Sequence, residues 1–176
     1  GRVESGWCSF DPGVTAAGEV PAAGGEDEAV KVMVMIKGSG AEEGKAVPTQ
    51  EMFEAMTAYN ERLATAGILL DGAGLKPSAD GAQVILESGT TSVVDGPFVE
   101  AKEIIGGYWI WQVNSLEEAV EWAKQCPTDT GLGSRQILEI RPYVEVEDFG
   151  EAYTPEVQER EERITAGIKA RHGEGN

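Results

Sequence analysis

The chain has 176 residues, 41% of them hydrophobic, and carries 31 acidic against 14 basic side chains for a formal net charge of −17. That length supplies one domain of ordinary size with residues to spare. A pI near 4.3 leaves no basic track able to release phosphate counterions, so neither nucleic acid nor an anionic membrane surface is an expected partner.

The longest strictly apolar run, residues 32–36, is far shorter than the ~20 residues needed to cross a bilayer. Cys8 and Cys126 lie far apart in different kinds of segment, which argues against a disulfide framework and for a reduced, cytoplasmic setting. Residues 1–30 combine Gly6, Gly13, Gly18, Gly24 and Gly25 with Pro12, Pro21 and the acidic run Glu26-Asp27-Glu28. They show no periodicity and read as a flexible acidic N-terminal extension. Trp7 and Phe10 are its exceptions, two aromatics suited to docking on the domain or on a partner.

In residues 31–142 the elements follow in order. Val32, Val34 and Ile36 alternate with Met33 and Met35, so both faces are apolar and the segment reads as a central strand. Pro48-Thr49 opens a helix whose stripe is Met52, Phe53, Met56, Tyr59 and Leu63, and Gly67 stops it. Ile68-Leu69-Leu70 is a short strand, and Asp71-Gly72-Ala73-Gly74 and Ser78-Ala79-Asp80-Gly81 read as turns. Residues 82–87 and 90–94 flank Ser88-Gly89, a two-residue connection that predicts a tight hairpin. Asp95-Gly96-Pro97-Phe98 ends its second strand. Gly106-Gly107 leads into Tyr108-Trp109-Ile110-Trp111-Gln112-Val113, the most strand-like run in the sequence.

Ser115 with Glu118 forms a capping box for a helix that buries Leu116, Ala119, Val120 and Ala123 and ends at Pro127. Residues 136–141 supply the last strand. Two helices on one face of a mainly antiparallel sheet bury both stripes, giving an α+β fold of ferredoxin-like type. The other sheet face carries Trp109, Trp111 and Met33 or Met35, and a second copy of the sheet is its simplest cover, so a homodimer is expected. Residues 143–176 form an acidic tail, with Thr154-Pro155-Glu156 starting a solvated helix.

The block Asp95-Gly96-Pro97-Phe98-Val99-Glu100-Ala101-Lys102-Glu103, followed by Gly106-Gly107-Tyr108, resembles the signature of the DGPF branch of YCII-related (YciI-like) proteins. The likeness extends through residues 31–36, Ala66-Gly67-Ile68-Leu69 with Gly74-Leu75, Ser115-Leu116-Glu117-Glu118-Ala119 with Trp122-Ala123, and Glu139-Ile140-Arg141-Pro142. It implies a ferredoxin-like dimeric α+β barrel. It also implies a small-molecule cleft, since some YciI-like relatives act on small ring compounds, a dehydrochlorinase among them. DGPF proteins are often encoded beside extracytoplasmic-function sigma factors.

The chemistry proposed for YciI-like relatives uses a His–Asp pair, and here the sole histidine is His172, in the tail. Acid–base work then falls to Asp95 and Glu103, with Asp95 equally suited to holding its own turn. Lys102 and Arg141 are candidates for an anionic substrate group, each with a salt bridge as the ordinary alternative. Phe98, Tyr108 and Trp111 are candidate aromatic walls, or plain core. Cys126 has no neighbouring base to make it a nucleophile, and neither metal-ligand spacing nor a nucleotide-binding glycine motif is present, so no cofactor is expected. The sequence thus supports a cofactor-free enzyme of lyase or isomerase type acting on a small ring compound or organic acid. The alternative is a non-catalytic ligand-binding or regulatory protein.

Overall fold

The computed structural model describes residues 29–39, 43, 47–98, 103–128 and 135–172. The Trp7 and Phe10 patch lies outside the described residues. Among the described residues there are six strands and three α-helices: β1 (Val30–Ser39), α1 (Gln50–Thr65), β2 (Leu69–Gly74), β3 (Ala82–Glu87), β4 (Thr90–Asp95), β5 (Glu103–Val113), α2 (Leu116–Ala123), β6 (Ile137–Pro142) and α3 (Pro155–His172). Four strands form an antiparallel sheet in the order β2-β5-β1-β6, so β5 is inserted between the consecutive strands β1 and β2. With α1 and α2 as crossovers, this is the α+β arrangement of ferredoxin-like type that the sequence predicts.

Strand alternation decides which side the helices take. Val32 and Val34 of β1 pair with Trp111 and Trp109 of β5, and these four side chains are buried against Tyr59 and Leu63 of α1 and Ala119 and Trp122 of α2. Burying each such side chain contributes about 1.5–3 kcal/mol. The Tyr59 hydroxyl donates to the Trp122 carbonyl at 2.9 Å, tying α1 to α2 inside the core. Met33, Met35, Tyr108 and Ile110 alternate onto the opposite face and are only half-buried there. That open face carries neither α1 nor α2.

The predicted helix starts hold, but the predicted stripes hold only in part: Phe53 of α1 and Leu116 and Val120 of α2 are exposed, and α2 ends at Ala123, ahead of Pro127. The Thr49 hydroxyl accepts from the Met52 N–H at 3.3 Å, and Gly67 takes φ +73 after the last turn of α1. The Ser115 hydroxyl accepts from the Glu118 N–H at 3.2 Å. The Glu118 carboxylate reaches one residue further back than predicted, accepting from the Asn114 N–H at 2.7 Å.

Other readings are corrected. Trp109 and Trp111, expected beside Met33 and Met35 on the face away from the helices, alternate onto the helix face and are buried there. Residues 71–74, expected as a turn, are the last four residues of β2 and pair with Gly107 to Ile110 of β5. Its glycine is required by packing, because a Cβ on Gly72 would lie 2.6 Å from the Trp109 ring. Gly106 and Gly107, expected before the strand, lie inside β5. There the pairing steps from Ile36–Gly107 to Lys37–Ile105, which leaves Gly106 as the extra residue of a bulge.

The predicted hairpin forms, with Ser88 at φ 48 and Gly89 at φ 83, the positive angles a tight two-residue turn requires. It stands as a separate two-stranded sheet rather than joining the larger one. After β6, short 3₁₀ turns over Val146–Ala152 lead to α3, whose described side chains are exposed apart from the half-buried Gln158. None of the described helices is long and apolar enough to cross a membrane.

Candidate functional site

Asp95 is exposed at the end of β4, opposite Ala82. The next residue shows what this block packs against. The Gly96 N–H donates to the Gly81 carbonyl at 2.9 Å, and a Cβ on Gly96 would lie 1.7 Å from the Ser78 carbonyl oxygen. Ser78 is itself anchored, since the Glu43 carboxylate accepts its N–H at 2.7 Å and its hydroxyl as well. Phe98 is half-buried with its ring edge at Gly81. The Asp-Gly-Pro-Phe turn therefore clamps the base of the hairpin against the 3₁₀ turn Ser78–Asp80.

Glu103 opens β5, opposite Ser39. Its carboxylate lies 2.7 Å from the Lys37 ammonium, which is also 2.8 Å from Glu139 of β6. The pairing with Glu103, then with Glu139, holds the Lys37 ammonium above its usual range. The bond from Lys37 in turn holds the Glu139 carboxyl below the usual carboxylate range. Arg141 is exposed, opposite Met33. The charged triad and Arg141 share the open face with Met33, Met35, Tyr108 and Ile110. Lys102 lies outside the described residues.

Trp111 is fully buried and belongs to the core rather than to a cleft wall. Cys126 is buried too, with its thiol pushed up to about 11 by loss of solvent, so it stays protonated and unreactive at neutral pH. Among the described residues no group of three or more His, Cys, Asp or Glu side chains is placed to hold a metal ion.

A concave cleft of about 220 Å³ lies between α1 and the β2–β5 edge of the sheet. Met56 and Asn60 of α1 form one wall, Ile36, Leu69 and Trp109 the other, and the backbone of Gly72, Ala73, Gly74, Gly106 and Gly107 forms the rim with Tyr108. Glycine on both strands keeps this rim open. The Trp109 indole N–H donates to Asn60 Oδ1 at 3.0 Å, which fixes the carboxamide orientation. The Asn60 NH₂ group has no protein partner among the described residues, so it remains as a donor at the cleft wall.

Of the described candidate site residues, Tyr108 alone is at this cleft, on its rim, with its side chain alternating onto the open face. The structure does not bring Asp95 and Glu103 into one sheet, and neither carboxylate lines the cleft. Sequence reasoning missed Lys37, Glu139 and Asn60. The alternation that places Met33 and Met35 on one face also places Lys37 there, and that was the available signal. Nothing local marked Asn60, because its partner Trp109 comes from another element.

The YCII-related domain family matches residues 30–144, from the start of β1 to just beyond β6. A protein of Rhizobium meliloti (strain 1021), itself uncharacterised, is 32% identical over 94 residues, covering 53% of this chain and 73% of that relative.

Proposed function

Because the chain belongs to the YCII-related domain family, we propose that it binds a compact, mostly apolar molecule of about one ring in the cleft between α1 and the β2–β5 edge. The observation that carries this reading is the Asn60–Trp109 hydrogen bond at the wall of an otherwise apolar recess. It leaves a single amide donor oriented for a ligand hydroxyl or carbonyl, the combination of apolar wall and few fixed polar groups typical of small-molecule sites. The volume agrees, since an apolar cavity of roughly 150 Å³ already accepts benzene. Binding is favoured over catalysis because no carboxylate lines the cleft among the described residues. A homodimer through the open sheet face belongs to the same reading, supported by the uncovered Met33, Met35, Tyr108 and Ile110.

Acid–base catalysis is the second reading, and one observation favours it: Lys37 holds Glu103 and Glu139 together on the open face. It requires a substrate to reach that face rather than the cleft.

A thermal-shift screen with small phenols and ring-bearing organic acids separates the two. A cleft ligand at 100 times its Kd stabilises the wild type by about 2.7 kcal/mol, several degrees in Tm. Gly74 lines the cleft, and a Cβ there meets nothing within 4 Å, so Gly74→Val fills the recess without a backbone collision and abolishes the shift. Asp95→Asn retains it. Loss of the shift in Asp95→Asn together with retention in Gly74→Val would overturn the cleft assignment.

A further inference from the structure

We infer that the β3–β4 hairpin is an arm that grips a second copy of this chain, with Val84, Leu86 and Val93 as its contact face. This deepens the homodimer reading above and rests on it. Pairing places Val84 opposite Val93 and Leu86 opposite Thr91, so all three apolar side chains project from one face of the hairpin. They are 61%, 77% and 65% exposed. Contiguous apolar exposure of this kind marks an interaction surface. An isolated two-stranded hairpin is at best marginally stable in water, and among the described residues the arm is held at its base, through Gly96, Gly81 and Phe98.

Charge and area identify the occupant. Between Ala82 and Val94 the one ionisable side chain is Glu87, in a chain of net charge −17. A basic partner would be drawn to the acidic tails, whereas a second copy, equally acidic, approaches best where charge is lowest. Four strands about 4.8 Å apart, rising about 3.3 Å per residue, give the open sheet face an area on the order of 400 Å². A stable interface buries about 800 Å² per partner. One face of a six-residue two-stranded arm adds about 200 Å². Under two-fold symmetry each copy both gives an arm and receives one, which brings the buried area per copy to about the size a stable dimer needs.

Sedimentation velocity across a concentration series tests this with the full chain, Leu86→Glu and Met35→Glu. The expected result is a wild-type dimer whose Kd rises at least tenfold in Leu86→Glu while the circular dichroism spectrum is unchanged, and rises also in Met35→Glu. A wild type that is monomeric throughout overturns both the dimer reading and the arm. A dimer lost in Met35→Glu but unchanged in Leu86→Glu places the interface on the sheet alone and overturns the arm only. Hydrogen exchange on the wild type guards against a misfolded variant: amides of residues 82–95 gain protection above the dimer Kd, and equal protection above and below it overturns the proposal.

Discussion

Gly96 matters through the side chain it lacks. Any Cβ at that position collides with the carbonyl of Ser78, a backbone group of a residue whose N–H and hydroxyl Glu43 accepts, so the clash cannot be relieved by turning a flexible side chain. Gly96→Ala is therefore expected to cost at least the 1–3 kcal/mol typical of overpacking (about 2 kcal/mol as a working figure), read as a lower midpoint in urea unfolding; an unchanged midpoint would mean the clamp is dispensable. The Asp-Gly-Pro-Phe block was legible in the sequence as a turn, but its purpose was not, because the carbonyl it packs against arrives from the other side of the hairpin. Trp111 illustrates the same gap. A strand aromatic is equally able to line a cleft or fill a core, and its pairing with Val32 beneath α1 and α2 is what decides for the core. The face of Lys37 was legible from the alternation of β1, but its two carboxylate partners were not, because they come from two different strands.

Elements with local signals were read correctly. The capped starts of α1 and α2, the glycine after α1 and the Ser88-Gly89 turn each depend on a few adjacent residues, so the sequence displays them directly. Strand β2 depends on its neighbour instead. Its glycines suggest a turn in isolation and become a strand because β5 supplies the ladder and the Trp109 ring occupies the space that larger side chains would need. The α2 cap offers a measurable element-scale effect. Ser115→Ala removes the acceptor for the Glu118 N–H and should destabilise the protein by about 1 kcal/mol. Thermal unfolding monitored by circular dichroism reads this as a small fall in Tm, and no fall at all would show that the Asn114–Glu118 bond suffices to start the helix.

At the scale of the whole molecule, the order of strands and helices was legible and the relation of the flanks to the core was not. The two flanks, residues 1–30 and 143–176, hold −10 of the −17 net charge. Tyr143 is still tied to the sheet, since its N–H donates to the Lys31 carbonyl at 2.8 Å. Beyond it the described side chains of α3 are exposed apart from the half-buried Gln158. Ending the chain after Val144 is accordingly expected to shift Tm by no more than about 3 °C, a loss under about 1 kcal/mol; a larger fall would show that α3 stabilises the fold through contacts with another copy.

The bulge at Gly106 has a consequence for the molecule as a whole. Because side chains alternate strictly along a strand, one uncounted residue reverses every position before it. Gly106 thereby turns Glu103 and Ile105 to the side that bears Lys37. Removing that single residue would send the Glu103 carboxylate beneath the helices and leave Lys37 one anion short. The electrostatic character of an entire surface is set by whether the number of residues preceding Gly107 in β5 is even or odd.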